Sequence, residues 1–257
     1  MFPQSKKFIS LPPANPDMQF AIFGDIHANL EALQAVMADA AAHDVTHYVC
    51  LGDVVGYNAN PHECVEIIRN LDCPVVKGNH DEQASVTDDL AGFNPLAEEA
   101  INWTRRQLND EDKQWLRDLK MVRQVRDFTI VHATLDTPHK WGYVFNQLDA
   151  AASFNYQHTQ VCFYGHTHAP RAYVRDGTVK SQVLDKLVLE QGKKYFVNCG
   201  SVGQPRDGDW HASYVLYSPD KQLIELRRLE YDIWTAQDKI VDAGLPQRLA
   251  DRLALGK

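Results

Sequence analysis

The stretch MQFAIFGDIHANL, at residues 18–30, indicates the fold class of this chain. Its beginning, residues 18–23, is apolar except at one position, which is typical of a strand buried on both faces. Residues 28–42 then carry apolar side chains at helical spacing, so a helix is predicted to follow the strand. The same order recurs where residues 48–51 precede a helical pattern at 61–71. Alternation of this kind predicts an α/β protein built around a central sheet.

The rest of the chain combines a helical segment with further strands. We predict that residues 82–120 are helical, and the alternatives for this segment are a cap over the active site and a role in packing alone. Short apolar runs at 128–131, 161–164 and 195–197 predict strands. Turn signals at 176–177 and 219–220 predict hairpins, so we expect the C-terminal half to be richer in antiparallel structure. The last segment, 231–253, is predicted to be helical.

Composition and charge exclude several classes of protein. The chain has 26 Lys and Arg residues and 34 Asp and Glu residues, which give a formal net charge of −8. This negative charge disfavours the binding of long nucleic acid. Five cysteines without CxxC spacing are typical of a reduced, cytoplasmic protein. No apolar run reaches the roughly 18 residues of a membrane span. We expect residues 1–17, with four prolines, to form a surface arm and residues 18–257 to form a single domain.

Five apolar runs end in side chains that bind metal ions. The residues at these ends are Asp25, His27, Asp53, Asn79, His80, Asp81, His132, His166 and His168. Of these, residues 79–81 are predicted to lie in a loop at 78–81 that follows a strand at 74–76. Because the carboxyl ends of parallel strands meet at one edge of a sheet, these side chains are predicted to converge. Two carboxylates supply only about two negative charges, and the imidazoles and the amide supply none. A pair of divalent cations bound there would therefore keep a net positive charge, which a phosphate anion complements. Two cations roughly 3.5–4 Å apart can share a hydroxide for in-line attack on phosphorus.

The order of these motifs resembles the calcineurin-like metallophosphoesterase superfamily. The motifs are GDIH at 24–27, GDVVGY at 52–57, GNHD at 78–81, the single His132, and GHTH at 165–168. The resemblance covers about residues 18–230, and GSVGQPRDGD at 200–209 is similar to the closing loop of the small bacterial and archaeal phosphodiesterase branch. It implies a four-layer αββα sandwich made of two mixed β-sheets.

The resemblance also implies a division of labour within the site. Two sets of three side chains would each hold one metal ion: Asp25, His27 and His168 for the first, and Asn79, His132 and His166 for the second. Asp53 would bridge both ions. His80 would face the substrate, where it stabilises the transition state or protonates the leaving oxygen, and Asp81 would fix the orientation of its ring. Mn, Fe, Zn and Ni all suit such nitrogen and oxygen ligands.

Two further residues are candidates for contact with the substrate. Tyr57 lines the pocket or belongs to the core, and Arg206 binds a substrate phosphate or pins its own loop through an ion pair with Asp207. Ala133 and Cys199 stand where relatives usually have glycine and proline, and these departures bear on substrate preference more than on chemistry.

The sequence leaves three functions to be separated. The leading one is hydrolysis of a small phosphate monoester or diester. The second is a dinucleoside polyphosphate hydrolase or a nuclease. The third is a protein-interaction scaffold of the same fold, such as the retromer subunit of the superfamily, in which part of the ligand set has been lost; the complete set in this chain argues against it.

Overall fold

The computed structural model describes residues 18–90 and 94–257, and the arm predicted at residues 1–17 lies outside these ranges. The strands are β1 (Phe20–Phe23), β2 (His47–Cys50), β3 (Val122–Val125), β4 (Phe128–Val131), β5 (Val161–Tyr164), β6 (Arg171–Asp176), β7 (Thr178–Val183), β8 (Lys186–Val188), β9 (Lys194–Asn198), β10 (Ala212–Ser218) and β11 (Leu223–Leu229). The helices are α1 (Leu30–Ala42), α2 (Pro61–Asn70), α3 (Asn79–Ser85), α4 (Pro95–Gln107), α5 (Asp110–Asp118), α6 (Gln147–Phe154), α7 (Ile233–Asp242) and α8 (Gln247–Leu255).

Two mixed sheets form the centre of the fold. One has the strand order β2-β1-β10-β11-β8, and the other has the order β3-β4-β5-β9-β6-β7. In the first sheet β1 runs parallel to β2, and in the second β5 runs parallel to both β4 and β9. The predicted ligands after β1, β2, β4 and β5 therefore leave the two sheets at the carboxyl ends of parallel strands.

The side chains of β1 show how the layers are built. Alternate residues of a strand point to opposite faces. Phe20 and Ile22 join the apolar cluster between the two sheets, whereas Ala21 and Phe23 join the cluster under α1, α2, α7 and α8. A third cluster, which includes Phe154 of α6, covers the far face of the second sheet. The predicted four-layer αββα sandwich is confirmed.

The motif GNHD does not form the loop that we predicted at 78–81. Asn79 is the first residue of α3, and Gly78 is its N-cap. The carboxylate of Asp81, in the first turn, accepts a hydrogen bond of 3.0 Å from the amide of Gly78. An acidic side chain that returns to the start of its helix in this way satisfies a donor that would otherwise be orphaned, so the chain becomes helical at once.

Two other local predictions are also corrected. The segment 74–76 contributes only isolated bridges rather than a strand. The helical segment predicted at 231–253 is divided into α7 and α8. The break falls at Gly244, whose φ of +71° ends α7, and at Pro246, which precedes α8.

The helical segment predicted at 82–120 contains the end of α3 together with α4 and α5. Its buried residues Ala97, Ile101 and Leu116 join the same apolar cluster as α1 and α2, so the segment packs on the first sheet's helical layer. Among residues 18–90 and 94–257, no helix combines the length and the apolar character needed to cross a bilayer.

Candidate active site

The loop after β1 is tied to the loop after β2. Asp25 and His27 are fully buried, and each adopts a φ of +49°. The amide of Asp25 donates to the carbonyl of Gly52, and the amide of His27 donates to that of Asp53, each at 2.9 Å. These two bonds hold the first two acidic motifs side by side.

Two glycines give the carboxylates room to approach the neighbouring motifs. A Cβ on Gly165 would lie 2.3 Å from Oδ2 of Asp25, and a Cβ on Gly78 would lie 2.0 Å from Oδ1 of Asp53. Any larger residue would have to displace the carboxylate. The space lets the amide of His166 donate to Oδ2 of Asp25 at 3.0 Å.

One group of potential metal ligands joins Asp25, His27, Asp53 and His168. All four side chains are buried, and their ligand atoms lie within 4.8 Å of one another. Nε2 of His168 is 3.2 Å from Oδ1 of Asp25 and 3.1 Å from Nε2 of His27. Nε2 of His27 is in turn 3.6 Å from Oδ2 of Asp53. Two imidazole nitrogens and two carboxylates thus converge on one small volume.

A second group joins Asp53, His132 and His166 within the same 4.8 Å limit. Nε2 of His132 lies 3.3 Å from Oδ2 of Asp53. Asn79 lines the same cavity as His166, and its Oδ1 is buried without a hydrogen-bond partner among the described residues. An orphaned buried acceptor of this kind is explained by an ion that it would bind. Asp53 belongs to both groups, which is the position that a bridging ligand must occupy.

Each histidine of the two groups uses its other ring nitrogen to contact a backbone carbonyl. The pairs are His27 Nδ1 with Val55 (3.2 Å), His132 Nδ1 with Leu51 (2.8 Å), His166 Nε2 with Trp141 (2.9 Å) and His168 Nδ1 with Gln204 (2.6 Å). A carbonyl only accepts hydrogen bonds, so the nitrogen that faces it carries a proton, and the other nitrogen is the one that can bind a metal ion. Metal-binding histidines are normally oriented in this way. The donor set therefore fits divalent cations.

Burial and charge set the protonation of these imidazoles. Burial lowers the pKa of His168 well below its usual value and lowers that of His166 to about 3. Burial also opposes the charge of His132, but the carboxylates of Asp53 and Asp25 and the carbonyl of Leu51 together outweigh it and raise the pKa of His132 to about 10. The proton on His132 offsets the buried acidic charge, and a cation that binds there would displace it.

Comparison with known proteins identifies the family of the chain. Residues 18–222 match the model of the calcineurin-like phosphoesterase superfamily domain. The chain belongs to this superfamily. It is 40% identical to an uncharacterised protein of Methanocaldococcus jannaschii over 242 residues, which cover 92% of this chain and 98% of that protein. The family is one of hydrolases that act on phosphate esters, and the predicted superfamily is confirmed.

Solved structures give the same answer. The crystal structure of a metallophosphoesterase from Sphaerobacter thermophilus is 40% identical and has a TM-score of 0.85, covering 94% of this chain and 100% of that one. A hypothetical protein of Pyrococcus horikoshii OT3 has a TM-score of 0.77 at 19% identity, covering 93% of this chain and 99% of that one. The second match supports the fold alone. The relatives are bacterial and archaeal, in agreement with the branch that the closing loop resembles.

The hydrogen bonds of Asp81 differ from the contact with the His80 ring that we predicted. Its Oδ1 accepts hydrogen bonds from the amides of Val54 (2.8 Å) and Val55 (3.3 Å), and its Oδ2 accepts one from the amide of Gly78. Both oxygens are thus committed to backbone donors. Asp81 therefore joins the loop that carries Asp53 to the start of α3, and none of its hydrogen bonds within the described residues reaches the ring of His80.

His80 lies beside both ligand groups without belonging to either. Its amide donates to Oδ1 of Asp53 at 2.8 Å, and its ring lies 4.7 Å from that of His27 and 4.5 Å from that of Tyr57, measured between centroids. Burial lowers the pKa of His80 to about 4. The imidazole is therefore neutral near pH 7, a form that can still donate one hydrogen bond.

Arg206 approaches the site through Tyr57. Its guanidinium carbon lies 5.6 Å from the centroid of the Tyr57 ring, and its Nη2 donates to the Tyr57 hydroxyl at 3.3 Å and to the side chain of Gln204 at 2.8 Å. The ion pair with Asp207 that we considered does not form, because Asp207 pairs with Arg228. Arg206 therefore packs against Tyr57 beside the site and also bonds Gln204 of its own loop.

A cavity of about 190 Å³ opens beside the ligand groups. It is lined by Tyr57, Asn79, His80, Asn94, Ala97, Trp141, Tyr143 and His166. Because two of these residues belong to the start of α4 and its N-cap, the helical segment lines the cavity as well as packing on the core.

Trp141 and Tyr143 are the lining residues that sequence reasoning missed. They lie in the irregular segment between β4 and α6, where no periodicity marks them. The ring of Tyr143 stacks on that of His166 with centroids 4.2 Å apart, and the residue is 49% exposed. The one available signal was the proximity of two aromatic residues to the His132 motif in sequence.

Proposed function

We propose that this phosphoesterase hydrolyses small phosphate monoesters or diesters with a pair of divalent cations. The observation that carries the proposal is that two buried ligand groups share Asp53. Asp25, His27 and His168 would complete the site of one cation, and Asn79, His132 and His166 that of the other. When bound, such cations polarise the phosphoryl oxygens and activate water as the nucleophile.

The residues around the ligand groups supply the remaining functions. His80 would donate a hydrogen bond to the ester or to its leaving oxygen, because its ring is neutral and lines the cavity. Arg206, with Tyr57 beside it, would contact a phosphate oxygen, since a guanidinium matches the geometry of phosphate. Asp81 would keep the two acidic loops in register and would touch no substrate.

The alternatives differ in how well the chain supports them. A scaffold has no need for the complete set of buried ligands or for the carbonyl contacts that orient four imidazoles. The net charge of −8 disfavours a nuclease for long polymers. A dinucleoside polyphosphate hydrolase stays open, because its chemistry uses the same groups. All five cysteines are free, and four are buried, which supports the reducing cytoplasm as the compartment.

The experiment uses protein stripped of metal by a chelator and then supplied with Mn, Fe, Zn or Ni. Turnover of p-nitrophenyl phosphate and bis-p-nitrophenyl phosphate is measured beside the metal content of each sample. We expect two equivalents of bound metal and metal-dependent hydrolysis of at least one substrate. Two bound equivalents without turnover of either ester would overturn the proposal of an enzyme and favour the scaffold.

A further inference from the structure

A second, larger cavity lies next to the candidate active site. It has a volume of about 680 Å³, and its lining includes Asn94, Leu96, Arg248, Arg252 and Lys257. Asn94 also lines the smaller cavity at the ligand groups, so the two cavities meet at the start of α4. We call the larger one the basic groove.

The basic groove is connected to the site through Tyr57. The guanidinium carbon of Arg252 lies 5.9 Å from the centroid of the Tyr57 ring, and that of Arg206 lies 5.6 Å from the same centroid. The other neighbours of this ring are the imidazoles of His27 and His80, at 4.7 Å and 4.5 Å. One aromatic ring therefore separates Arg252 from the reacting centre.

The arginines of this region form no ion pair among the described residues, although the carboxylate of Asp251 also lines the basic groove, where it accepts a hydrogen bond of 3.0 Å from the side chain of Gln247. Within residues 18–90 and 94–257, none of the ion pairs of arginine involves Arg206, Arg248 or Arg252; the pairs formed are Arg69 with Glu111 and Asp112, Arg227 with Asp39, and Arg228 with Asp207 and Asp209. In addition, Nε of Arg206 is buried without a hydrogen-bond partner in the described part of the chain.

Arg252 is half-buried, and its Nε donates to a main-chain oxygen of Lys257 at 2.8 Å. This bond fixes the side chain while its two terminal nitrogens donate to no described residue. Burial, and then the charges of Arg206 and Arg248, lower the pKa of Arg252. Arginines placed so that they repel one another, on a protein of net charge −8, cost stability unless an anion neutralises them.

We propose that the basic groove binds a second phosphate of the substrate, so that the natural substrate carries at least two phosphate groups. The proposal rests on the proposed function, because the first phosphate is the one at the ligand groups. Arg206 would contact the reacting phosphate, and Arg252 with Arg248 would hold the next one beyond Tyr57. The guanidinium group suits this task because its planar fork can donate two parallel hydrogen bonds to phosphate.

The test measures binding in metal-free protein, where the cation site contributes little and the groove remains. Inorganic tripolyphosphate and inorganic phosphate are titrated by calorimetry into the wild type and into Arg252→Gln and Arg248→Gln. We expect tripolyphosphate to bind more tightly than phosphate, and Arg252→Gln to weaken it at least about tenfold, as expected for a charge-assisted contact. Arg248→Gln changes an exposed side chain, so it gives an answer even if Arg252→Gln disturbs α8.

The control variant is Arg123→Gln, which removes the same charge from an exposed position on β3. Equal weakening by the control and by the groove variants would overturn the proposal, since it would show only a general charge effect. Unchanged binding in both groove variants would overturn it as well. A 5′-phosphorylated dinucleotide is titrated in parallel, because tighter binding of this probe than of tripolyphosphate would assign the second phosphate to a short oligonucleotide instead of a polyphosphate chain.

Hydrolysis of p-nitrophenyl phosphate by the metal-loaded variants separates the two proposals. This ester has one phosphate, so we expect its kcat/KM to stay within about twofold of the wild type in the groove variants. Suppose that turnover is normal and that tripolyphosphate binds equally well to the wild type and to both groove variants. This result would refute the proposal for the groove and leave the proposed function standing. If no protein hydrolyses the ester while tripolyphosphate binding still depends on Arg252 and Arg248, the proposed function is refuted. The groove would then be an anion-binding site only.

Discussion

Replacing Asp53 by Asn is expected to remove both cations at once. Oδ1 of Asp53 accepts a hydrogen bond from the amide of His80 at 2.8 Å, and Oδ2 faces His27 at 3.6 Å and His132 at 3.3 Å. Oδ2 is thus the oxygen between the two ligand groups. An asparagine can keep the acceptor at Oδ1, which preserves the start of α3, while it places an uncharged amide between the groups.

The expected magnitude follows from the sharing of this one oxygen. His27 belongs to the first ligand group only, so His27→Ala should lose about one equivalent of metal, whereas Asp53→Asn should lose about two. Metal polarisation is worth several kcal/mol of transition-state stabilisation. A loss of only about 4 kcal/mol corresponds to roughly a thousandfold in rate, since each 1.36 kcal/mol is tenfold. We expect kcat/KM of Asp53→Asn to fall by at least that factor.

The assay combines elemental analysis of protein incubated with Mn and then desalted with the kinetics of p-nitrophenyl phosphate hydrolysis. Asp242→Asn serves as the control, because it removes the same charge from an exposed position at the end of α7. Circular dichroism and the thermal midpoint verify folding. Two retained equivalents of Mn in Asp53→Asn, with more than a tenth of the wild-type rate, would refute the shared-ligand reasoning.

Three further predictions concern residues outside the ligand groups. His80→Ala should keep both cations and lower kcat by about 10²–10³-fold, since it removes one preorganised donor; loss of metal would show that His80 is a ligand instead. Tyr143→Ala should raise KM several-fold with kcat within about threefold, because its exposed ring stacks beside the cavity, and an equal fall in kcat would contradict this. His62 on α2 donates to Asp112 on α5 at 2.7 Å, and that bond raises the pKa of His62. Its contribution to stability is therefore complete below the unfolded pKa near 6.5 and is lost as the pH rises through the higher folded value. Denaturant unfolding of His62→Ala should show a deficit of about 0.5–1 kcal/mol near pH 5.5, small because His62 is 41% exposed, and a smaller deficit near pH 9; a deficit that does not change with pH would contradict the linkage.

The sequence predicts which Asp and His side chains come together, because Asp25, Asp53 and His132 each follow closely on a strand. Asn79 does not follow a strand, because it is the first residue of α3. A buried strand fixes where its last residue lies, and a glycine before Asp25, Asp53 or His166 fixes how sharply the chain turns. The position of Asp81 is a different case. The family resemblance implied that Asp81 is a partner for the ring of its neighbour, whereas its place in the first turn of α3 directs it to backbone amides. The capping rule for acidic residues at helix starts was the better guide.

The segment between β4 and α6 could not be predicted in the same way. Trp141 has a φ of +53°, its carbonyl accepts a hydrogen bond from His166, and its indole donates to Glu82 at 3.2 Å. Each of these partners lies more than twenty residues away in the chain. The local sequence pattern therefore does not predict these contacts of Trp141, although its carbonyl decides the tautomer of His166.

The net charge of the whole chain does not describe the local charges in the basic groove. A net charge of −8 opposes a long polyanion, which must pass over the whole acidic surface. A compact ligand inside the basic groove is affected mainly by charges within a Debye length, about 8 Å at physiological ionic strength. Within that distance Arg252 and Arg206 flank one tyrosine ring, and neither forms an ion pair with a residue in the described part of the chain. The same field that repels polynucleotides is therefore compatible with a short substrate that carries two phosphates, and we expect the enzyme to discriminate by the length of the anion more than by its charge.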